Sequence, residues 1–164
     1  KTFNDSIIIY DTSALIKAQI TRATVFGNSS IYTYWKDTSL RMNPLKENLI
    51  YRSVNSGDFE FITSLDSNIH SYNDLNVDIN NNRYTYYIVS KNICETKSEI
   101  SNIGTSINLN YERPEELKTK LKWNLYENWN DGVDRYEIQK LGANGQWNTI
   151  SSPDSSTNNI IINE

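Results

Sequence analysis

The chain matches itself, in two stretches without a gap, when it is shifted by 88 residues. The matched pairs are Trp35 with Trp123, Leu45 with Val133, Ile50 with Ile138, Arg52 with Lys140, Gly57 with Gly145, Phe59 with Trp147 and Ile62 with Ile150. This period is close to the size of one small β-sandwich domain, about 100 residues, and too long for a solenoid unit. The repeat therefore predicts domain-sized modules, an organisation typical of adhesion and scaffolding rather than of catalysis.

The repeat also sets the predicted domain boundaries. Residues 17–104 form one complete period, and residues 105–164 supply 60 of the next 88 positions, so we expect an incomplete second module. Residues 1–16 lie where the tail of a preceding module, or a linker, would be. Because the sequence begins at Lys1 and has no signal-peptide pattern, we expect a processed or excised piece of a longer protein.

Strand-forming side chains dominate the composition. Ile, Val, Thr and Tyr number 49, whereas the strong helix formers Ala and Leu number 15, so the predicted class is all-β. Apolar alternation and turn residues predict strands over residues 18–25, 31–36, 49–54, 59–62 and 83–90, with a short strand beginning at Ser71. No Pro-rich or Gly-rich linker separates the modules, which predicts a stiff joint between them.

The same alternation predicts which side chains are buried. In the first module we expect Trp35, Tyr84, Tyr86 and Ile88 among the most buried residues. In the second module the 88-residue register places Trp123, Tyr136, Ile138 and Trp147 in or beside the core.

Charge and hydropathy exclude two classes of partner. The net charge is −4 and the basic residues are scattered, so we expect no nucleic-acid binding. No stretch approaches the roughly 20 apolar residues of a membrane span, so we expect no direct membrane insertion. The single cysteine, Cys94, cannot form an internal disulfide, and we expect it to be a small buried or half-buried side chain.

The order of these signals resembles a fibronectin type III domain: a Trp on the second strand, a hairpin, a short strand and then a Tyr-x-Tyr-x-Ile strand. The resemblance covers residues 17–104 and the first two-thirds of a second copy. It implies tandem immunoglobulin-like β-sandwiches, the second incomplete. It also implies that Tyr84 forms the structural tyrosine corner, in which the hydroxyl bonds to a nearby backbone group.

A narrower resemblance rests on the string W-N-L-Y-E-N-W-N-D-G-V-D-R-Y-E-I at residues 123–138. This string is similar to the tandem repeats of gliding-motility-associated bacterial surface proteins. The resemblance implies export by the type IX secretion system, an extracellular or cell-surface location and a role as an adhesin. Members often carry a second cysteine before the Trp strand, and residues 111–120 contain none.

The residues offer little for catalysis. One histidine, His70, excludes a multi-histidine metal site, and the sequence places no base near Cys94, so we expect no catalytic residue and no cofactor. The predicted role of His70 is that of an exposed turn residue.

Two segments could bind a ligand. Asp74, Asn76 and Asp78 have the alternating oxygen spacing that begins a calcium loop, although Ile79 and Thr85 stand where such a loop needs Gly and Glu. The alternative is a solvated turn. Tyr126 and Trp129 lie in an Asn-rich and Asp-containing loop of the kind that contacts a sugar ring or a protein. The alternative is that Trp129 covers the end of its own sandwich.

We therefore predict a non-catalytic spacer and adhesion segment of a large exported bacterial surface protein. Its partners would be a protein or a surface glycan and other modules of the same polypeptide. The alternatives are an accessory module of a secreted polysaccharide-degrading enzyme, or a secretion-associated binding module. We also expect the second module to lack a sixth strand beside residues 136–141.

Overall fold

The structure, a computed structural model, describes residues 15, 17–38, 44–127 and 132–163. These residues form twelve β-strands and no helix, which confirms the all-β class. The strands are β1 (Gln19–Phe26), β2 (Ser30–Lys36), β3 (Leu45–Val54), β4 (Glu60–Asp66), β5 (Ser71–Asp74), β6 (Tyr84–Asn92), β7 (Gly104–Thr105), β8 (Leu109–Glu115), β9 (Lys118–Trp123), β10 (Ile138–Leu141), β11 (Trp147–Ser151) and β12 (Asn159–Asn163). In the described part of the chain, no helix could cross a membrane.

The first seven strands form two sheets that pack face to face. One sheet has the order β1-β2-β5 and the other the order β4-β3-β6-β7, and every pairing is antiparallel. This is the immunoglobulin-like sandwich, of the fibronectin type III kind, that the sequence predicts. Thus β1 and β4 are edge strands, since each pairs with a neighbour on one side only.

The core of this sandwich confirms the predicted register. Trp35, Tyr84, Tyr86 and Ile88 are all buried, and they pack with Ile31 and Ile50 between the two sheets. Thr85 and Tyr87, which alternate with them on β6, face outward and are half-buried. The alternation of the strand therefore assigns each side chain to the correct face.

An irregular segment follows β6, and serines attach it to that strand. Ser98, Ser101 and Ser106 each donate their backbone N–H to a β6 carbonyl, at 2.8, 2.9 and 2.8 Å. Each serine hydroxyl accepts the N–H of the same β6 residue, at 3.0, 2.9 and 3.1 Å. The segment is thus held at three points in addition to the two ladder pairs of β7.

The C-terminal half repeats the strand positions of the first. It contains a sheet of order β12-β9-β8 and a separate β10-β11 hairpin. Ser30 and Lys118, which begin β2 and β9, are 88 residues apart, as are Ser71 and Asn159, which begin β5 and β12. Trp123 and Tyr136 are buried as predicted, with ring centroids 5.7 Å apart, and Ile138 is half-buried.

The prediction that Trp147 lies in or beside the core is wrong. Its side chain is 64% exposed. The 88-residue register explains the error, because the matching residue Phe59 lies on the outer face of its sheet, where it packs against Tyr87. In the described residues β10 pairs only with β11, so no strand lies at its other edge. Trp147 therefore has no neighbour equivalent to Tyr87.

Candidate functional site

Asp74, the first residue of the predicted calcium loop, joins the two sheets of the first sandwich. It lies on β5 and is 1% exposed. Its Oδ2 accepts hydrogen bonds from Arg52 Nη1 and from the Tyr86 hydroxyl, both at 2.9 Å, and its Oδ1 accepts the Asn76 N–H at 3.1 Å. The carboxylate is thus already bonded to protein donors on both oxygens. A calcium ion at Asp74 would have to displace these donors.

Asp78 belongs to the tyrosine corner. Its backbone N–H donates to the Tyr84 hydroxyl at 2.7 Å, which confirms the role predicted for Tyr84. Its carboxylate accepts a bond from the Asn81 amide at 2.8 Å. Among the described residues no group of three or more His, Cys, Asp or Glu side chains could hold a metal. Calcium binding at Asp74, Asn76 and Asp78 stays a prediction.

His70 and Cys94 occupy separate turns. The His70 ring is partly exposed, with Nε2 3.2 Å from Asp37 Oδ2 and Nδ1 3.1 Å from the Asn68 carbonyl oxygen. The thiol of Cys94 is exposed, so the prediction that this side chain is buried or half-buried is wrong. The reason is local: the chain turns immediately after β6, and the Cys94 N–H donates to Asn92 Oδ1 at 3.0 Å while the thiol is exposed.

Tyr126, a predicted ligand residue, contacts the first sandwich. Its hydroxyl accepts the Ala23 N–H of β1 at 3.0 Å, and its own N–H donates to the Tyr136 hydroxyl at 2.7 Å. Burial raises the pKa of the Tyr126 hydroxyl, so the hydroxyl stays protonated at neutral pH. Trp129, the other predicted ligand residue, lies outside the described residues.

Asparagine side chains form most of the joint between the two halves. Only residues 106–108 separate β7 from β8. The Asn108 amide donates to the Ile79 carbonyl at 2.6 Å and its backbone N–H donates to Asn124 Oδ1 at 2.7 Å. The Asn124 amide in turn donates to the Ser106 carbonyl at 3.1 Å. Arg83 and Glu127 add an ion pair of 3.1 Å across the joint.

A groove of about 740 Å³ lies beside this joint, along the outer edge of β1. We call it the junction groove. The residues that line it include the apolar Ile79, Ile107 and Leu109 and the polar Arg22, Asn80 and Tyr126. The sequence identified Tyr126 as a ligand residue but not the groove, because the groove forms only when β1 meets the second half.

A second surface carries four aromatic rings. Tyr51, Phe59, Phe61 and Tyr87 cover the outer face of the β4-β3-β6 strands, and we call this surface the aromatic face. Tyr51 and Tyr87 stack with centroids 4.7 Å apart and ring planes 17° apart. Phe61 is 54% exposed. The sequence could have indicated this face, since these rings occupy the outward positions of the predicted strands.

Comparison with known proteins finds similarity of fold only. No protein-family model and no curated protein sequence matches the chain. Pectate lyase Pel3 from Pectobacterium carotovorum has a TM-score of 0.46 and 18% identity, over 54% of this chain and 26% of that one. A β-1,2-glucanase from Parabacteroides distasonis has a TM-score of 0.48 and 17% identity, over 57% of this chain and 12% of the glucanase. A segment of two fibronectin type III domains from chicken tenascin has a TM-score of 0.40 and 14% identity, over 89% of this chain and 80% of the tenascin segment. The chain thus spans about a quarter of the pectate lyase.

Proposed function

We propose that the chain is a non-catalytic spacer and adhesion segment, built from fibronectin type III-like modules at residues 17–104 and 105–164. The joint is the observation that carries this proposal. A spacer must keep a fixed angle between neighbouring modules, and a short connection bonded on both sides restricts that angle. Asn108 and Asn124 supply such bonds, and Tyr126 adds one to β1.

A more specific proposal concerns the full-length protein to which the segment belongs. We place the segment in a large exported bacterial surface protein, with residues 1–16 as the tail of a preceding module or a linker. The string at residues 123–138 supports a gliding-motility-associated protein exported by the type IX system, and hence an extracellular location. A protein or a surface glycan would be the partner of such an adhesin.

The spacer role can be tested by distance measurement between two spin labels. Cys94 provides one exposed site in the first sandwich, and Ser152→Cys provides a second in the other half. We expect a narrow distance distribution between the labels, because the joint fixes the two halves. Asn108→Ala should broaden the distribution, since it removes the bond to the Ile79 carbonyl.

A matched pair within one module controls for label mobility. Asp58→Cys, combined with Cys94, places both labels on the first sandwich, where the distance cannot depend on the joint. A broad distribution for the pair at 94 and 152, beside a narrow one for the pair at 58 and 94, would show that the joint is flexible and would contradict the spacer role.

The aromatic face favours a second candidate, an accessory module of a secreted polysaccharide-degrading enzyme. Exposed aromatic rings on a rigid sheet suit the flat faces of sugar rings. The test is co-sedimentation with insoluble cellulose, xylan and pectin. Binding that is lost in Tyr51→Ala and Phe61→Ala but kept in Phe26→Ala, an exposed aromatic residue outside this face, would support the accessory role. No binding by the unchanged protein would exclude it for these polymers.

A further inference from the structure

We propose that the junction groove binds an extended acidic peptide segment, which adds as a strand to the outer edge of β1. This inference goes beyond the spacer role but shares one premise with it, the contact between β1 and the second half that forms the groove.

The first argument is the hydrogen-bonding pattern of β1. In an antiparallel ladder, residues that bond to the partner alternate with residues whose N–H and C=O point away from it. Ala23 is of the second kind, since its N–H donates outward to the Tyr126 hydroxyl. The register with β2 runs without a shift from Arg22 to Phe26. The N–H and C=O of Val25 therefore also point away from β2 and into the groove.

The outward groups of β1 are covered at one end and open at the other. At Ile20 a side chain replaces a strand: Asn102 Oδ1 accepts the Ile20 N–H at 2.8 Å, and the Asn102 amide donates to the Ile20 carbonyl at 2.9 Å. At Val25 the carbonyl accepts one long contact, 3.4 Å from the Thr24 hydroxyl. No strand of the described chain pairs with this edge. Within the described residues, the Ala23 carbonyl and the Val25 N–H thus have no strand partner, and the Val25 carbonyl makes only the long Thr24 contact, so that all three groups can bond to an added strand.

The second argument is charge. Arg22 is exposed at the groove, and its guanidinium lies over the Tyr34 ring, 4.6 Å from the centroid. None of the described residues that line the groove is acidic. Side chains of neighbouring strands on the same face lie close together, so an added strand would place a side chain beside Arg22. A carboxylate there matches the charge, and a lysine would meet repulsion.

The third argument is the apolar part of the groove lining. Side chains of a strand alternate between its two faces. Arg22 and Thr24 lie on the outer face of β1, whereas Ala23 and Val25 face inward, in the direction of Ile79. An added strand would thus present acidic residues on one face and apolar residues on the other. The occupant that fits is a peptide segment of alternating apolar and acidic residues.

The test uses nuclear magnetic resonance of the amide groups with the peptide acetyl-Val-Glu-Val-Glu-Val-amide as the probe. We expect saturable shifts at Val25 and Ala23. The same peptide with Lys in place of Glu should bind at least about tenfold more weakly, a difference of about 1.4 kcal/mol. Arg22→Glu should reverse this preference.

Two further variants separate strand addition from simple charge attraction. Lys36→Glu on β2 changes the net charge equally, lies outside the groove and should leave binding unchanged. Val25→Pro removes the outward donor, and Pro is tolerated on edge strands at such positions, so binding should be lost while the thermal unfolding transition stays cooperative.

Several results would overturn the proposal. They are the absence of saturable shifts at Val25, shifts that persist unchanged in Arg22→Glu, and shifts produced by an oligomer of galacturonic acid but not by the peptide. The last result would assign the groove to an acidic glycan. A flexible joint in the spin-label experiment would contradict the spacer role, whereas saturable shifts at Val25 in that same protein would still support strand addition to β1.

Discussion

Asp74 shows how one buried side chain can join two sheets. It lies on β5, and the Arg52 guanidinium and the Tyr86 hydroxyl that bond to it come from β3 and β6 of the opposite sheet. Burial, and then the nearby Asp74 carboxylate, raise the pKa of Tyr86 far above its ordinary value, so its hydroxyl remains a donor. The position that the sequence suggested for a calcium ligand thus has a structural role.

We predict that Asp74→Asn strongly destabilises the protein. The substitution removes the charge that pairs with the mostly buried Arg52, and breaking a buried ion pair costs about 3 kcal/mol or more. The free energy of unfolding from urea titration measures the effect. Asp58→Asn, at an exposed carboxylate, is the matched control and should change stability by less than about 0.5 kcal/mol. Equal effects would show that the ion pair contributes nothing.

We predict that Glu95 titrates at unusually low pH. Its hydrogen bonds to Lys46 and Lys91 lower the pKa from the ordinary 4.5 to about 2. Because the folded-state pKa is depressed, these ion pairs stabilise the fold above pH 4.5, and their contribution is lost as the pH falls from 4.5 to about 2. Magnetic resonance of the side-chain carboxyl measures the pKa. Lys46→Gln should raise it, whereas Lys140→Gln, at an exposed position, should not.

At the level of elements, the strands were predictable because their signal is local. Alternation along a few residues shows which face is apolar, and β2 and β6 carry this pattern clearly. The serine contacts of the segment after β6 were not predictable, since a Ser-rich stretch reads as a loop. The contact between Tyr126 and Ala23 joins residues 103 positions apart, and no local pattern specifies it.

Trp147 shows what the 88-residue repeat cannot predict. Matching to Phe59 gave the correct strand, β11, but burial on the outer face depends on the residues that cover that face. Tyr87 covers Phe59, and in the described chain no residue does the same for Trp147. The sequence register therefore predicts a position along a strand more reliably than it predicts burial there.

We predict that Trp147→Phe removes much of the fluorescence that iodide can quench. An exposed indole is accessible to the quencher, and Trp147 is 64% exposed, whereas Trp35 is buried. Trp35→Phe should therefore leave the intensity of the quenchable fluorescence almost unchanged and raise its share of the total. Quenching titrations of the two variants and the unchanged protein give the comparison. A larger loss of quenchable fluorescence in Trp35→Phe than in Trp147→Phe would contradict the burial assigned to these two residues.

On the scale of the whole molecule, Tyr126 couples the second half to an edge strand of the first. We predict that Tyr126→Phe increases the exchange rate of the Ala23 amide by about tenfold, because the amide loses its acceptor. The Ile20 amide, which Asn102 holds, should keep its rate and serves as an internal reference. Tyr111→Phe, at an exposed tyrosine, is the control. Unchanged exchange at Ala23 would show that the hydroxyl does not protect it.

The serine contacts after β6 have a consequence for a chain under tension. A pull on the C-terminal half first loads the contacts of the joint, and once these give way it reaches the two hydrogen bonds between Ser106 and Tyr84. Behind them stand the short β7 ladder and then the paired bonds of Ser101 and Ser98. We therefore expect the segment to detach in steps, each of which lengthens the chain while the core around Trp35 stays closed.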